Sequence, residues 1–383
     1  MASPLEGVKV LEIARVLAGP WIGQTLADLG AEIIKIESPD GDDTRQWGPP
    51  WIDHDDGSRT AAYYYSCNRG KKSVILDFKT EDGREAIRRL AAQSDILIEN
   101  FKVGGLSKYG LDYDSLKKIN PKLIYCSVTG FGQDGPYAAR PGYDLMIQAM
   151  GGIMDLTGEP NRPPQKIGMA YADIFTGLYG VIAIQAALAH REETGIGQHI
   201  DMALLDCMIG VMGNQAMNYL TTGISPTRMG TAHPNIVPYQ DFPASDGPLI
   251  IACGNDRQFE NVCGLLGVDF HADMRFSKNV DRVIHREALI ALLKAETVKH
   301  TREYLLSGLE KCGVPAGPIN TVGQALEDIQ VKHRQMVIDT NDAPGIRTPI
   351  NFSETDLALG KAAPRHGADT QAVLAEIGIT KAD

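Results

Sequence analysis

Residues 7–38, GVKVLEIARVLAGPWIGQTLADLGAEIIKIES, decide the fold of this chain. An aliphatic run (GVKVLEI) is followed by a helical run (WIGQTLADLG) and then by a second apolar run (AEIIKIES). Nearly continuous apolar strands that alternate with helices are typical of a parallel sheet covered on both faces. The stretch therefore predicts the start of a Rossmann-like α/β domain.

The same alternation continues to about residue 135 through KKSVILDF, EDGREAIRRLAAQ, SDILIENF and KLIYCSVTGFG. After about Asn218 the pattern changes to a loop rich in Gly and Pro (GISPTRMGTAHPNIVPYQDF), the strand PLIIACG and several helices. We expect a large domain over 1–218, a smaller α/β domain over 219–318, and a segment 319–383 that begins as a linker (GVPAGPIN) and returns to the first domain.

Composition indicates an ordinary soluble protein, with 383 residues, 43% hydrophobic and 22% charged. A net charge of −11 argues against a nucleic-acid binder, since those present a basic face. No membrane span and no signal peptide are predicted. The six cysteines form no CxxC pair, which suits free thiols in a cytoplasmic protein without a structural metal or disulfide framework.

Asp173 is a carboxylate set among small and apolar neighbours in GMAYADIFTGLYG, just before an apolar helix predicted from Phe175 to about Gly195. Two interpretations stay open. It is an N-cap that accepts the first free backbone N–H groups of the helix, or a nucleophile that those groups hold oriented in a partly dry site, and both roles can be combined.

A nicotinamide-cofactor enzyme is an alternative, because Glu37 ends the second strand, where an acidic residue can hold a ribose hydroxyl. The glycine fingerprint of such proteins is missing, since Gly19 and Gly23 do not form G-x-G-x-x-G and Pro20 interrupts them. Basic residues at strand ends suggest a phosphate site instead. They are Arg69, Lys71, Lys72, Lys79, Lys102 and Lys108.

Taken together, LEGVKVLEIARVLAGP, LGAEIIKIE, GDDTRQWGPP, CNRGKKSVILDFK, LIENF, SVTGFGQDGPYAARPGYD and YADIFTGLYG resemble the class III CoA-transferase family, which contains formyl-CoA transferase. The resemblance covers nearly the whole chain. It implies a Rossmann-like large domain built from both chain ends, a small central domain, and a homodimer of interlocked subunits. It also implies that Asp173 is the catalytic nucleophile and that coenzyme A is a substrate, with no further cofactor and no metal.

By motif match, the resemblance assigns CoA binding to four groups of residues. They are Leu17 and Ala18; Leu76, Asp77, Phe78 and Lys79; Asn100, Phe101, Lys102 and Lys108; and Arg140, Pro141, Gly142 and Tyr143.

GDDTRQWGPP and GTAHPNIVPYQ are closer to the branch of succinyl-CoA:hydroxymethylglutarate (glutarate) CoA-transferases. That branch implies succinyl-CoA as donor and a dicarboxylate as acceptor. A dicarboxylate needs a cation for its second carboxylate, and Arg15 and Arg45 are the candidates, because arginine grips carboxylates bidentately. A structural salt bridge is the alternative for each.

Three other functions are weighed against this one. Formyl-CoA:oxalate transfer is disfavoured, because formyl-CoA transferase carries glutamine at Leu17 and arginine at Ser38. An α-methylacyl-CoA racemase needs a histidine where Tyr143 stands, and an unperturbed tyrosine, with a pKa near ~10, is a poor base at neutral pH. A non-catalytic CoA-binding protein is disfavoured by the intact Asp173.

Overall fold

The computed structural model of the chain describes residues 2–340 and 342–379, which fall into two compact units. Among the described residues, the first unit takes 2–153, 166–221, 329–340 and 342–379, and the second takes 154–165 and 222–328. The second unit therefore begins and ends slightly later than the predicted small domain and also includes a short earlier segment.

The strands, in chain order, are β1 Lys9–Glu12, β2 Glu32–Glu37, β3 Trp51–Asp53, β4 Arg59–Ala61, β5 Lys71–Ile75, β6 Ile96–Glu99, β7 Ile124–Thr129, β8 His199–Ala203, β9 Tyr239–Ala244, β10 Gly247–Ala252, β11 Ala316–Pro318, β12 Val337–Asp339 and β13 Pro344–Ile346. The helices are α1 Ala18–Asp28, α2 Ala62–Tyr65, α3 Glu81–Ala92, α4 Tyr113–Leu116, α5 Asp144–Met150, α6 Ile153–Leu156, α7 Tyr171–Thr194, α8 Leu204–Gly210, α9 Gly213–Thr222, α10 Asp256–Leu266, α11 Asn279–Ile284, α12 Arg286–Thr297, α13 Arg302–Lys311, α14 Val322–Leu326, α15 Ile329–His333 and α16 Thr370–Glu376.

The first unit is built on a six-stranded sheet in the order β5-β2-β1-β6-β7-β8. Every neighbouring pair in it is parallel, which confirms the predicted sheet. The strand order reverses between β1 and β6, and ligands of such sheets bind at the carboxyl edge near that reversal.

Apolar side chains cover both faces of this sheet, as near-continuous apolar strands require. One core contains Val10, Ile22 and Ile98, and the other contains Leu11, Ile87 and Leu97. The carboxyl-terminal segment completes the β5 edge, where Ser73 N donates to Asp369 Oδ2 at 2.8 Å and Ile75 N donates to Thr370 Oγ1 at 3.0 Å.

The second unit holds an antiparallel sheet in the order β11-β10-β9. Two sequence interpretations are corrected here. Residues 239–242, predicted as the end of a loop, begin β9, and the predicted linker GVPAGPIN contains β11. Both segments contain proline or glycine, which are unusual inside strands, so their pairing with the predicted strand β10 could not be recognised from the sequence.

Helix α7 is long and apolar enough to cross a membrane by length and composition, a test that core helices of soluble proteins also pass. It packs closely on α1 through glycines. A Cβ atom at Gly177 would lie 2.9 Å from Trp21 Cδ1, and one at Gly180 would lie 2.5 Å from Ile22 Cδ1. This face of α7 therefore belongs to the core of the first unit.

Candidate active site

The carboxyl ends of the parallel strands meet at one sheet edge, where a cleft of about 390 Å³ lies. Its lining comes from the segments that follow β1, β2, β5 and β6. Five residues predicted to bind CoA line it together with Arg15; they are Leu76, Asp77, Phe78, Lys79 and Phe101. The fold thus brings together segments that the resemblance had assigned separately.

An aromatic cluster joins these segments. The ring of Phe78 lies 5.4 Å from that of Phe101 and 5.2 Å from that of Tyr109, both edge to face. The ammonium group of Lys108 lies 4.8 Å above the Tyr109 ring. Such pairs hold the rings in a fixed arrangement, so the three segments that carry the candidate CoA residues 76–79, 100–102 and 108 meet at these rings.

The other predicted CoA residues lie on separate segments of the first unit. Leu17 and Ala18 are buried at the start of α1. Asn100 fixes the loop after β1, because its side chain accepts from Arg15 N at 2.9 Å and donates to Arg15 O at 2.6 Å. Lys102 lines a second cavity, of about 170 Å³. The segment 140–143 leads into α5 and lines neither cavity.

The turn between β1 and α1 is strained at Val16, whose φ of 72° is rare for a β-branched residue. Its N–H points to the Asp42 carboxylate, at 3.3 and 3.4 Å, and Asp42 is itself paired with buried Lys35 at 2.9 Å. Strain of this kind is common at functional sites, and here it sits directly before Leu17.

Two of the proposed phosphate cations are structural. Arg69 is buried in a bidentate pair with Asp28, at 3.0 and 2.6 Å. Lys71 is buried against Glu12 at 2.8 Å. Neither can reach a phosphate without breaking a buried pair. Lys72 is paired with Glu32 at 2.6 Å, so Lys79, Lys102 and Lys108 are the exposed lysines that remain for that role among the six proposed cations.

Asp173 lies in the first turn of α7, which begins at Tyr171, four residues earlier than predicted. It is not the cap of this helix. The carboxylate of Asp144 takes that role, with Oδ1 accepting from Ala172 N at 2.8 Å and from Asp173 N at 3.4 Å. Within the described residues, no group donates a hydrogen bond to the Asp173 carboxylate. The N-cap interpretation is therefore wrong, and the carboxylate stays available for chemistry.

Burial, reinforced by the negative charge of Asp144, raises the pKa of Asp173 to about 7. The phenol of Tyr63 belongs to the same environment, because burial first and then the charge of Asp173 raise its pKa to about 12. The Tyr63 ring meets Trp47 edge to face at 5.4 Å. A carboxylate with a perturbed pKa in a half-buried site is a candidate nucleophile.

Arg15 and Arg45 have different surroundings. Arg15 has a half-exposed side chain whose Nη1 lies 2.8 Å from Asp43 Oδ2 at the cleft. Arg45 is buried and grips Glu37 bidentately at 2.8 and 2.7 Å, with Tyr64 Oη at 2.7 Å. The structure therefore corrects the substrate role predicted for Arg45 in favour of the salt-bridge alternative.

The ion pair between Arg45 and Glu37 also argues against the nicotinamide-cofactor alternative, which required Glu37 to hold a ribose hydroxyl. Burial alone would raise the pKa of Glu37, but hydrogen bonds from Arg45 hold this pKa at about 2. The Glu37 carboxylate also accepts hydrogen bonds from Ser73 Oγ at 2.6 Å and from Asp42 N at 2.9 Å. A carboxylate so committed has no position for a ribose hydroxyl.

Asp144, Gln148 and Tyr63 surround the first turn of α7, and sequence reasoning did not connect them with Asp173. Asp144 lies 29 residues from Asp173 along the chain, and nothing in local spacing links the two. Its neighbour Tyr143, where a racemase carries histidine, is 66% exposed.

The model of CoA-transferase family III matches residues 5–370. Succinate–glutarate CoA-transferase of Agrobacterium fabrum is 52% identical over an alignment of 382 positions that covers 98% of this chain and 96% of that protein. Human succinyl-CoA:glutarate CoA-transferase is 39% identical over an alignment of 383 positions that covers 98% of this chain and 86% of that protein. The crystal structure of a CAIB/BAIF family protein from Brucella suis is 62% identical, with a TM-score of 0.90 and coverage of 98% of this chain and 100% of that one.

The matched region covers nearly the whole chain, and it includes the cleft at the sheet edge and the helix that carries Asp173. The chain therefore belongs to the class III CoA-transferase family and is a CoA-transferase.

Proposed function

We propose that this enzyme transfers coenzyme A from succinyl-CoA to a dicarboxylate such as glutarate, through covalent intermediates on Asp173. The observation that carries the proposal is the Asp173 carboxylate itself, which lies half-buried in the first turn of α7 with no donor among the described residues and with a pKa near 7. The names of the two relatives, at 52% and 39% identity, support the substrate pair.

In the first half-reaction, an oxygen of Asp173 attacks the thioester carbonyl of succinyl-CoA. The carbon–sulfur bond breaks, CoA leaves as a thiolate, and a succinyl-aspartyl anhydride forms. The thiolate then attacks the aspartyl carbonyl of the anhydride. Succinate is released and Asp173 carries CoA as a thioester.

In the second half-reaction, the acceptor carboxylate attacks the aspartyl thioester and expels the thiolate, which gives a mixed anhydride. The thiolate attacks the acceptor carbonyl, so that the new acyl-CoA leaves and the Asp173 carboxylate is regenerated. Acyl activation is conserved at every step, so we propose that neither ATP nor a metal takes part. Water must be excluded because it would hydrolyse both kinds of intermediate.

Arg15 is the proposed partner of the second substrate carboxylate. Its guanidinium is half exposed and, in the part of the chain that the structure describes, pairs only with Asp43, which is itself half exposed. A substrate carboxylate can replace such a surface partner at little cost, because exposed ion pairs contribute about 0–1 kcal/mol. The cleft residues 76–79 and Phe101, with Leu17, Ala18, Asn100, Lys102, Lys108 and 140–143, are proposed to hold CoA.

We also propose that the enzyme is an interlocked homodimer. Large apolar side chains stay exposed on helices α5, α7 and α9 of the first unit, which a partner subunit would cover. They include Leu145, Met150, Leu178, Ile182, Met217 and Leu220, of which Leu220 is 73% exposed. Threaded subunits should not separate on dilution without unfolding.

The six cysteines are free, which supports a cytoplasmic location.

The test is a transfer assay with succinyl-CoA and a panel of mono- and dicarboxylates. Asp173→Asn should lower kcat by about 10³-fold or more while CoA still binds, as expected for the loss of a nucleophile. Asp206→Asn is the matched control, since Asp206 is likewise the third residue of a helix in the same unit. Its kcat should stay near that of wild type.

Other outcomes would redirect the assignment. Preference for oxalate would favour the formyl-CoA transferase type. Uptake of deuterium beside the thioester of a 2-methylacyl-CoA in heavy water would favour a racemase. Full activity of Asp173→Asn would refute the proposed mechanism.

A further inference from the structure

Gln148 is a fully buried polar residue of α5 whose side chain makes three hydrogen bonds. Its Nε2 donates to Asp144 Oδ2 at 2.7 Å and to Met169 O at 3.3 Å. Its Oε1 accepts from Ile167 N at 2.9 Å. A buried amide that meets three partners in this way specifies one arrangement of the groups around it.

The groups it joins lead directly to Asp173. Asp144 uses its other oxygen, Oδ1, for the N–H groups of Ala172 and Asp173. Met169 O, the second acceptor of Gln148, also receives Tyr171 N at 2.9 Å, at the first residue of α7. One carboxamide therefore orients the capping carboxylate and also holds the segment that enters the helix.

We propose that Gln148 is a positioning residue for the reaction at Asp173, because it fixes the Asp144 carboxylate and the backbone of 167–169 against the first turn of α7. The inference rests on the proposed function of Asp173. Gln148 touches no substrate in this scheme, and its effect passes through Asp144. Reactions of this kind depend steeply on geometry, since a displacement of about 1 Å can cost ~100-fold in rate.

Gln148→Leu keeps a similar volume but removes all three hydrogen bonds. We expect its kcat to fall at least ~10-fold, while the KM for succinyl-CoA changes less than about threefold, since the loss affects the reacting groups and not the CoA cleft. Hydrogen exchange of the Ala172 and Asp173 amides should accelerate, a readout that needs no turnover.

Gln24→Leu is the matched control. Gln24 is also buried, and its side chain likewise bonds two backbone groups, Ser66 O at 3.1 Å and Arg69 N at 2.8 Å, but it has no contact with Asp144. We expect this variant to lose stability without the selective fall in kcat. A folded Gln148→Leu whose kcat stays within about twofold of wild type, or falls no more than that of Gln24→Leu, overturns the proposal.

Gln148→Glu gives a second test that does not depend on tolerating an apolar side chain. The introduced carboxyl group can donate to Asp144 only while protonated. Among the described residues, the titratable groups that face Asp144 or the 167–169 backbone include Asp173, Tyr63 and Lys166, whose Nζ bonds Ile167 O at 3.2 Å. The ratio of its kcat to that of wild type should fall by ~10-fold or more between about pH 6 and pH 8.5. A ratio that is constant or rises overturns the proposal, whereas full activity of Asp173→Asn would refute the nucleophile instead.

Discussion

Gly23→Ala should destabilise the enzyme, although alanine is the better helix former. Gly23 lies inside α1, where the change would by itself contribute about 1 kcal/mol of stability. A Cβ atom there would overlap Glu12 Oε2 and lie 3.2 Å from Lys71 Nζ. The glycine thus leaves room for a buried carboxylate of the neighbouring strand.

That carboxylate cannot move aside freely. Glu12 is fully buried and held by Lys35 at 3.1 Å and Lys71 at 2.8 Å. Separating a buried ion pair costs about 3–5 kcal/mol, so the net loss after the helix gain is about 2–4 kcal/mol. In a chain of this size each kcal/mol changes the transition temperature by about 2 °C. We expect a decrease of roughly 4–8 °C.

Thermal unfolding followed by circular dichroism measures this change. Gly264→Ala is the control, because Gly264 also lies inside a helix, α10, and an added Cβ atom would meet nothing within 4 Å outside that helix. It should be neutral or slightly stabilising. A transition temperature of Gly23→Ala equal to or above that of wild type would show that Glu12 relaxes easily, and the reasoning would be refuted.

Three further predictions concern charge. Because the pKa of Asp173 is raised to about 7 and the nucleophile must be ionised, kcat/KM for succinyl-CoA should fall ~10-fold per pH unit below 7 and level off above it, as a pH–rate profile will measure. Burial raises the pKa of Glu99 from 4.5 to about 7, so the native state holds the extra proton and loses stability as pH rises through that window. Glu99→Gln should therefore raise the transition temperature at pH 8 and leave it nearly unchanged at pH 4.5; equal effects at both would contradict this. Arg15→Met should raise the KM for glutarate ~10-fold with little change in unfolding, whereas Arg45→Met should chiefly destabilise the protein by leaving Glu37 buried without its partner. Unchanged glutarate kinetics in Arg15→Met would remove Arg15 from the substrate site.

The large sheet could be predicted because its strands are apolar on both faces and carry this pattern locally. The gathering of residues 76–79 and Phe101 followed from the same sheet, since parallel strands end at one edge. Asp173 was located near the start of a helix for similar local reasons. Features that depend on local hydrophobic periodicity could therefore be predicted from the sequence.

Pairings between distant charged side chains could not be predicted in this way. Glu37 and Arg45 each looked like a ligand-binding residue, and only the fold shows that they neutralise each other in the interior. The capping of α7 by Asp144 likewise depends on the approach of two helices. In the sequence, Gly23 looked like part of an incomplete dinucleotide-binding motif. In the fold, the Glu12 carboxylate occupies the space that a side chain at Gly23 would need. In each case the role of the residue depends on its surroundings in the interior, and these are determined only when the chain has folded.

Trapping of the covalent intermediate tests the central claim most directly. Wild-type enzyme turning over succinyl-CoA with hydroxylamine present should lose activity as Asp173 becomes a hydroxamate, which mass spectrometry of the peptide containing residues 171–180 detects as a single modified aspartate. Asp206 and Asp144 should remain unmodified in the same digest. Continued transfer with no hydroxamate at Asp173, or a hydroxamate at another carboxylate that forms at the rate of inactivation, would contradict the account.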